Sequence, residues 1–250
     1  MKKIIFLASL FFTMNCFSQS FLEAYENTRH FEPFDHANGL YDGEFETLTG
    51  NPEEWSKVMG ILHQFDDIQL AKRGFDGSVF LFDEWENRSV VYANNTKFVF
   101  PNLNYNIEKD EFMFRLNDST YVFDMNKVQG IKIKNKSFKS VNVEGVKNNF
   151  EIVHKTKKIS LLKKYSISLS KASPNPMVNR KRSKIKRKSK YYLERANNLT
   201  PFSLRKSAIV KLVSIDKIKD LKWFVKSKKL SYKKEEDVKI ILNYISNLNV

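Results

Sequence analysis

The chain has little of what would give it a covalent or metal-bound framework. One cysteine in 250 residues excludes an internal disulfide and a cysteine-rich zinc site. Its 8 glycines are scattered singly, so neither a Gly-rich phosphate loop nor a dinucleotide fingerprint can be assembled. With only 6 prolines, the composition also excludes a collagen-like or low-complexity protein. Neither a Gly-x-Ser-x-Gly elbow nor a His-Glu-x-x-His helix occurs. No segment reaches the ~18 consecutive apolar residues of a membrane-spanning helix.

What is present points to a packed, β-rich body. Hydrophobic residues make up 42% and aromatics 14%, with 21 Phe and 10 Tyr, more than a disordered chain carries. The first residues have the parts of a secretory signal. Lys2 and Lys3 precede the apolar Ile4 to Phe12, and Cys16-Phe17-Ser18 presents small residues to a signal peptidase. Residues 1–18 are therefore expected to be removed, leaving Gln19 first and a chain that is periplasmic, outer-surface or extracellular. Lipid attachment at Cys16 fits less well, because Thr13 and Asn15 stand where an aliphatic and a small residue belong.

The formal charge of +15 is unevenly spread. Residues 19–150 hold 14 basic and 21 acidic side chains, a net of −7, whereas residues 151–250 hold 27 and 7, a net of +20. Such asymmetry marks an anionic partner or two regions that face each other.

Residues 19–76 read as an acidic segment with one short helix near 52–63. Asn51 is its N-cap, Pro52 its first residue, and Trp55, Val58, Met59 and Leu62 fall on one face. Residues 77–171 switch to strand periodicity. Runs at 78–82, 88–92, 97–100, 103–107, 111–115 and 120–123 are separated by Asn- and Asp-rich turns, and further strands are expected near 130–133, 138–143, 150–154 and 159–168. Spacing near ten residues predicts an antiparallel meander, forming an open curved sheet or a partial barrel. Residues 191–250 add a strand and helices. Ile209, Leu212 and Val213 suit a first helix, Ile218, Leu221 and Val225 a second starting near Asp216, and Val238, Ile241, Leu242 and Ile245 a third capped by Ser231. The class is α+β.

Between these parts lies residues 172–190, expected to be an exposed basic loop. Eight of the eleven residues from 180 to 190 are cationic: Arg180, Lys181, Arg182, Lys184, Lys186, Arg187, Lys188 and Lys190. Clustered cations bind polyanions by counterion release, without sequence preference. Lipopolysaccharide, anionic lipid and nucleic acid are the expected partners, and Tyr191 and Tyr192 offer stacking surfaces. A solvated linker, or contact with the acidic half, accounts for the same run.

Four stretches taken in order carry a resemblance: residues 77–85 (GSVFLFDEW), 103–111 (LNYNIEKDE), 161–165 (LLKKY) and 230–237 (LSYKKEED). Together they resemble uncharacterised exported proteins of Bacteroidota-type bacteria, over roughly residues 75 to 248. The resemblance implies a cell-envelope or secreted setting and a strand-rich body with a helical tail; it implies no activity.

Other chemistry is thinly represented. His30 and His36 with Glu32 and Asp35 have ligand-type side chains at a spacing that fits no zinc motif, and Pro33 opposes a shared helical face. His63 beside Asp66 and Asp67 reads as a helix end. Asp83, Glu84 and Glu86 around Trp85 are the carboxylates nearest to acid–base work on a glycan, but they sit between two expected strands and a hairpin turn is the preferred explanation. The expectation is an exported, non-enzymatic binding or structural module without a cofactor. The alternative is a secreted enzyme acting on glycan or another envelope polymer.

Overall fold

A computed structural model of the chain describes residues 75–93, 96–100, 102–116, 119–172, 182–196 and 198–248. The expected leader, the helix near 52–63, His30, His36, His63, Arg180 and Lys181 lie outside these residues.

The strands are β1 (Phe75–Asp76), β2 (Ser89–Ala93), β3 (Thr96–Phe100), β4 (Leu103–Asn106), β5 (Glu111–Leu116), β6 (Ser119–Val122), β7 (Gly130–Ile133), β8 (Lys136–Val143), β9 (Val146–Lys155), β10 (Ser160–Ser170), β11 (Ser183–Arg195) and β12 (Asn198–Phe202). The helices are α1 (Lys206–Val210), α2 (Ile218–Ser227) and α3 (Glu235–Leu248), with a 3-10 turn at Ile215–Lys217 before α2. One open sheet runs β1-β11-β10-β9-β8-β7-β2-β3, with β12 also on β11, and β4-β5-β6 form a separate antiparallel sheet. The antiparallel expectation holds from β7 to β12. The large sheet is nevertheless mixed, because β1 pairs parallel to β11.

Local chemistry accounts for the long hairpins. At the β8–β9 turn, Glu144 (φ 52°) and Gly145 (φ 84°) both lie in the left-handed region, and Val143 pairs with Val146. That two-residue turn matches the right-handed twist of its strands. The expected strand at 78–82 is instead irregular, with Phe80 forming a single bridge to Asn106. Backbone bonds link Leu81 to Tyr105 and Val79 to Ile107, and at Phe82 the Asn104 side chain takes over, accepting from its amide (3.2 Å) and donating to its carbonyl (2.9 Å).

Residues directly opposite each other in paired strands share a face. The register therefore traces one row of side chains across the large sheet: Phe98, Val91, Ile131, Phe138, Glu151, Lys163, Tyr191, Phe202. At one end of this row the small sheet packs on top through an aromatic core, where Phe100 meets Phe114 and Phe123 edge-on and Phe112 meets Tyr105 and Phe138. At the other end Leu161 and Leu193 pack under the helices.

The helical expectation is met in its packing. Leu221, Val225, Val238, Ile241 and Ile245 are buried together and Ile218 is half-buried against them. The capping differs. Asp216 sits in the 3-10 turn before α2, and Ser231 stands four residues ahead of α3, its hydroxyl accepting from the Lys233 amide. Ile241 is fully buried, so Ile241→Ala is expected to cost ~2–5 kcal/mol in a urea or thermal melt.

The largest departure from expectation is the basic segment. Residues 183–190 are not a loop but the first eight residues of β11, paired with β10 from Lys184–Ser170 to Lys190–Lys164. The repulsion that argues against order is relieved by alternation and by the partner strand. Ser166, Ser168 and Ser170 lie opposite Lys188, Lys186 and Lys184, so those cations face hydroxyls rather than one another. Lys164 does oppose Lys190, but its ammonium is bonded to the Asp110 carboxylate. Ile185 points to the other face and is buried among Val79, Phe80 and Met113. Close approach there needs Gly77 (φ +98°), where a Cβ would lie 3.0 Å from the Ile185 carbonyl oxygen.

Candidate polyanion interface

Pleating divides the cations of β11 into two groups. Lys184, Lys186, Lys188 and Lys190 project from one face and are exposed. None of the four has an ion-pair partner among the described residues. Successive members stand two residues apart, about 6.6–6.8 Å along the strand. Arg187 projects from the opposite face, where its guanidinium meets Asp83 at 2.6 Å. Arg182, just before the strand, meets Asp76 at 3.2 Å. Of the eight cations expected to act together, the fold thus aligns four and commits two to acids.

The two tyrosines that follow are also separated. Tyr191 lies on the inner face and donates to Glu235 of α3 at 2.6 Å. Tyr192 continues the lysine row and meets Phe150 edge-on at 5.4 Å. Beyond it on the same face is Glu194, both of whose carboxylate oxygens accept from Lys139 at 2.6 Å. Glu194 and Lys139 border a cavity of about 370 Å³ whose rim also carries Lys155, Lys157 and Lys158. From Lys184 to Glu194 the row spans roughly 33 Å at strand rise.

The row lies on the outer part of a forked sheet. Pairing of β10 with β9 runs from Ser160–Lys155 to Lys163–Glu151, while β10 stays with β11 to Ser170. Asp110, from the β4–β5 turn, occupies the fork. Its carboxylate accepts from the Asn149 amide of β9 (3.1 Å), the Lys164 ammonium of β10 and the Tyr105 hydroxyl of β4. Burial, and then the neighbouring Asp110 charge, push the Tyr105 hydroxyl far above its ordinary pKa, so it stays a proton donor.

Between the two apolar cores lies a polar seam that the sequence did not signal. Lys163 joins the Glu235 carboxylate and stands 3.9 Å from Glu151. Glu151 also accepts from Lys136 (2.7 Å) and from the Tyr165 hydroxyl. Burial pushes Tyr165 and Tyr191 upward, and the adjoining glutamates add to it. Burial also acts to raise Glu235, but hydrogen bonds from Lys163 and Tyr191 outweigh it and hold the carboxyl below its ordinary value. Both carboxylates are thereby occupied by donors. The place of Glu151, Lys163 and Tyr191 on one transverse row follows from strand register, which periodicity does not supply.

The carboxylates considered for glycan chemistry are not assembled into a dyad. Asp83 pairs with Arg187, Glu84 and Glu86 are exposed, and the Arg115 guanidinium covers the Trp85 ring at 3.9 Å. Trp85 also packs edge-on against Phe80. His154 bonds to Asn243 at 2.8 Å, and burial lowers its pKa. Among the described residues no group of three or more His, Cys, Asp or Glu is placed to hold a metal ion, and no helix is long and apolar enough to cross a membrane. No family model matches this chain, and no curated protein or solved structure matches it either.

Proposed function

We propose that this chain is an exported, non-enzymatic module of the cell envelope or its surroundings that holds a linear polyanion along β11. The observation that carries the reading is the row Lys184, Lys186, Lys188 and Lys190, exposed on one face of a paired strand and without acidic partners among the described residues. A strand fixes these charges at regular intervals, so an extended polymer meets them without first ordering a loop. That spares the ~1–2 kcal/mol per residue that ordering a flexible segment costs. Tyr192 at the end of the row supplies an apolar surface beside the charges. Export is supported by the n-region, h-region and cleavage pattern of residues 1–18. A glycan-directed enzyme is less well supported, because Glu151 and Glu235, which the fold brings together, are both occupied by Lys163 and by tyrosine hydroxyls.

Heparin, as a linear polyanion, tests this reading. Binding measured by titration should weaken steeply with salt. By analogy with single-stranded phosphate polymers, four released counterions give a slope near −3 in log K against log salt, or about fifty-fold weaker binding from 50 to 200 mM. Changing Lys184, Lys186, Lys188 and Lys190 together to Gln should remove most of that slope while the melting temperature holds. Equal affinity and slope in the quadruple variant would refute the assignment.

A further inference from the structure

The outward side of α2 carries a second surface, unrelated to the lysine row. Leu221 and Val225 face the core. Trp223 lies almost diametrically opposite Leu221 at helical spacing and is 71% exposed. Lys219 and Lys226 flank it at i−4 and i+3, with Lys222 beside it, all exposed. Eight residues before Trp223, in the 3-10 turn, Ile215 is 88% exposed. From residue 215 to 229 there are six lysines against Asp216 and Asp220, a local net of +4.

We infer that this face docks on an anionic lipid bilayer, with the Trp223 indole and Ile215 entering the headgroup layer and the lysines meeting lipid phosphates. The combination selects that partner. Indoles settle at the membrane–water boundary, where an apolar ring and a polar N–H are both accommodated. Lysine stems lie along the apolar surface while their ammonium groups reach the phosphates. Two exposed apolar side chains are too few to insert the helix, so binding is peripheral and needs negative lipid. A purely polyanionic partner would explain the lysines and leave the exposed indole and isoleucine without a role. The inference does not rest on the lysine row, since the helices cover the inner face of the sheet, with Leu161 and Leu193, and the row projects from the other face.

The test uses full-length protein, processed by its host, and sedimentation with vesicles. Vesicles of phosphatidylglycerol and phosphatidylcholine in equal parts should carry the protein down at low salt and release it at high salt; phosphatidylcholine alone should not. Changing Lys219, Lys222 and Lys226 together to Gln should lower partitioning roughly tenfold or more. Brominated lipid in the mixed vesicles should quench part of the tryptophan emission in the wild type, and Trp223→Phe should abolish that part. The Lys184, Lys186, Lys188 and Lys190 to Gln variant should bind vesicles as the wild type does. Undiminished partitioning of the α2 lysine variant, or no quenching assignable to Trp223, overturns the inference. Vesicle binding lost in the β11 variant and kept in the α2 variants would place the lipid contact on the lysine row and overturn it equally. Because every changed side chain is exposed, an unchanged melting temperature separates these outcomes from misfolding.

Discussion

Replacing Glu151 by Ala is expected to destabilise the protein by about 3–5 kcal/mol, because it removes one partner from a buried ion pair. Glu151 is 5% exposed, and its carboxylate takes Lys136, the Tyr165 hydroxyl and part of the Lys163 charge. Without it, the hydroxyl of the half-buried Tyr165 loses its acceptor and Lys163 keeps Glu235 alone. Lys136 is more accessible, so water recovers some of the loss on that side. Glu151→Gln keeps an acceptor for Tyr165 and should fall between wild type and the Ala variant. The informative companion is Glu151→Leu with Lys136→Met, which removes the 2.7 Å ion pair as a unit and leaves Lys163 with Glu235; it should recover part of the loss. A urea midpoint unmoved by Glu151→Ala would show that the seam is solvated and contributes nothing. Acid provides an independent check through Glu235. Its folded pKa lies below its ordinary value of 4.5, so the stability it contributes is fully present above that value and is lost as pH falls through the folded pKa. Glu235→Gln should therefore flatten the acid limb of the stability curve and leave the neutral region lower but level.

The parts of the fold that were legible in the sequence are those in which one residue's neighbours along the chain determine its environment. Strand β4 and the outer part of β10 (165–170) alternate apolar and polar residues, and Asn-, Asp- or Gly-bearing turns separate β2 to β9, so their existence follows from local pattern. The apolar stripes of α2 and α3 are equally local. The first part of strand β11 hides because, from 184 to 190, its outward positions are all lysine and its inward ones are Ile185, Arg187 and Ser189. That alternation is real, but charge rather than hydropathy carries it. What makes the run foldable is supplied by another segment: the serines of β10 opposite three lysines, Asp110 on Lys164, Asp83 on Arg187 and the apolar group around Val79 over Ile185. None of these partners is near in sequence. The same holds for the polar seam, where Glu151, Lys163 and Glu235 meet from three elements, and for the fork that Asp110 closes. The basic composition of the candidate interface could be read directly; its geometry, which decides that four lysines act together while two arginines do not, depends on register.

Removing residues 183–190 is expected to unfold the outer half of the large sheet, the reverse of what a solvated appendage would do. The deletion takes away the partner of β10 from Lys164 to Ser170 and the residues that pair with Phe75 and Asp76. It also takes away Ile185, whose loss alone costs ~2–5 kcal/mol when a buried aliphatic side chain is truncated. Ile167 and Met113 lose a packing neighbour at the same time, and Asp83 loses Arg187. The combined loss should exceed that of Ile185→Ala, and the melting transition should broaden or fall well below that of the wild type. The charges themselves are dispensable for folding. Exposed substitutions away from caps and buried partners lie within about 0.5 kcal/mol each, and relieving mutual repulsion acts in the favourable direction. The variant with Gln at 184, 186, 188 and 190 should therefore melt at or above the wild-type temperature while the deletion does not. Trypsin gives the same distinction without mutation, since a loop this rich in Lys and Arg is cut at once, whereas a strand paired on β10 must open before it can enter the protease. A deletion variant that melts like the wild type, or immediate cleavage between Lys184 and Lys190, would mean that β11 begins only at Tyr191; the lysine row would then be no row at all, and the polyanion assignment would lose the regular spacing on which it stands.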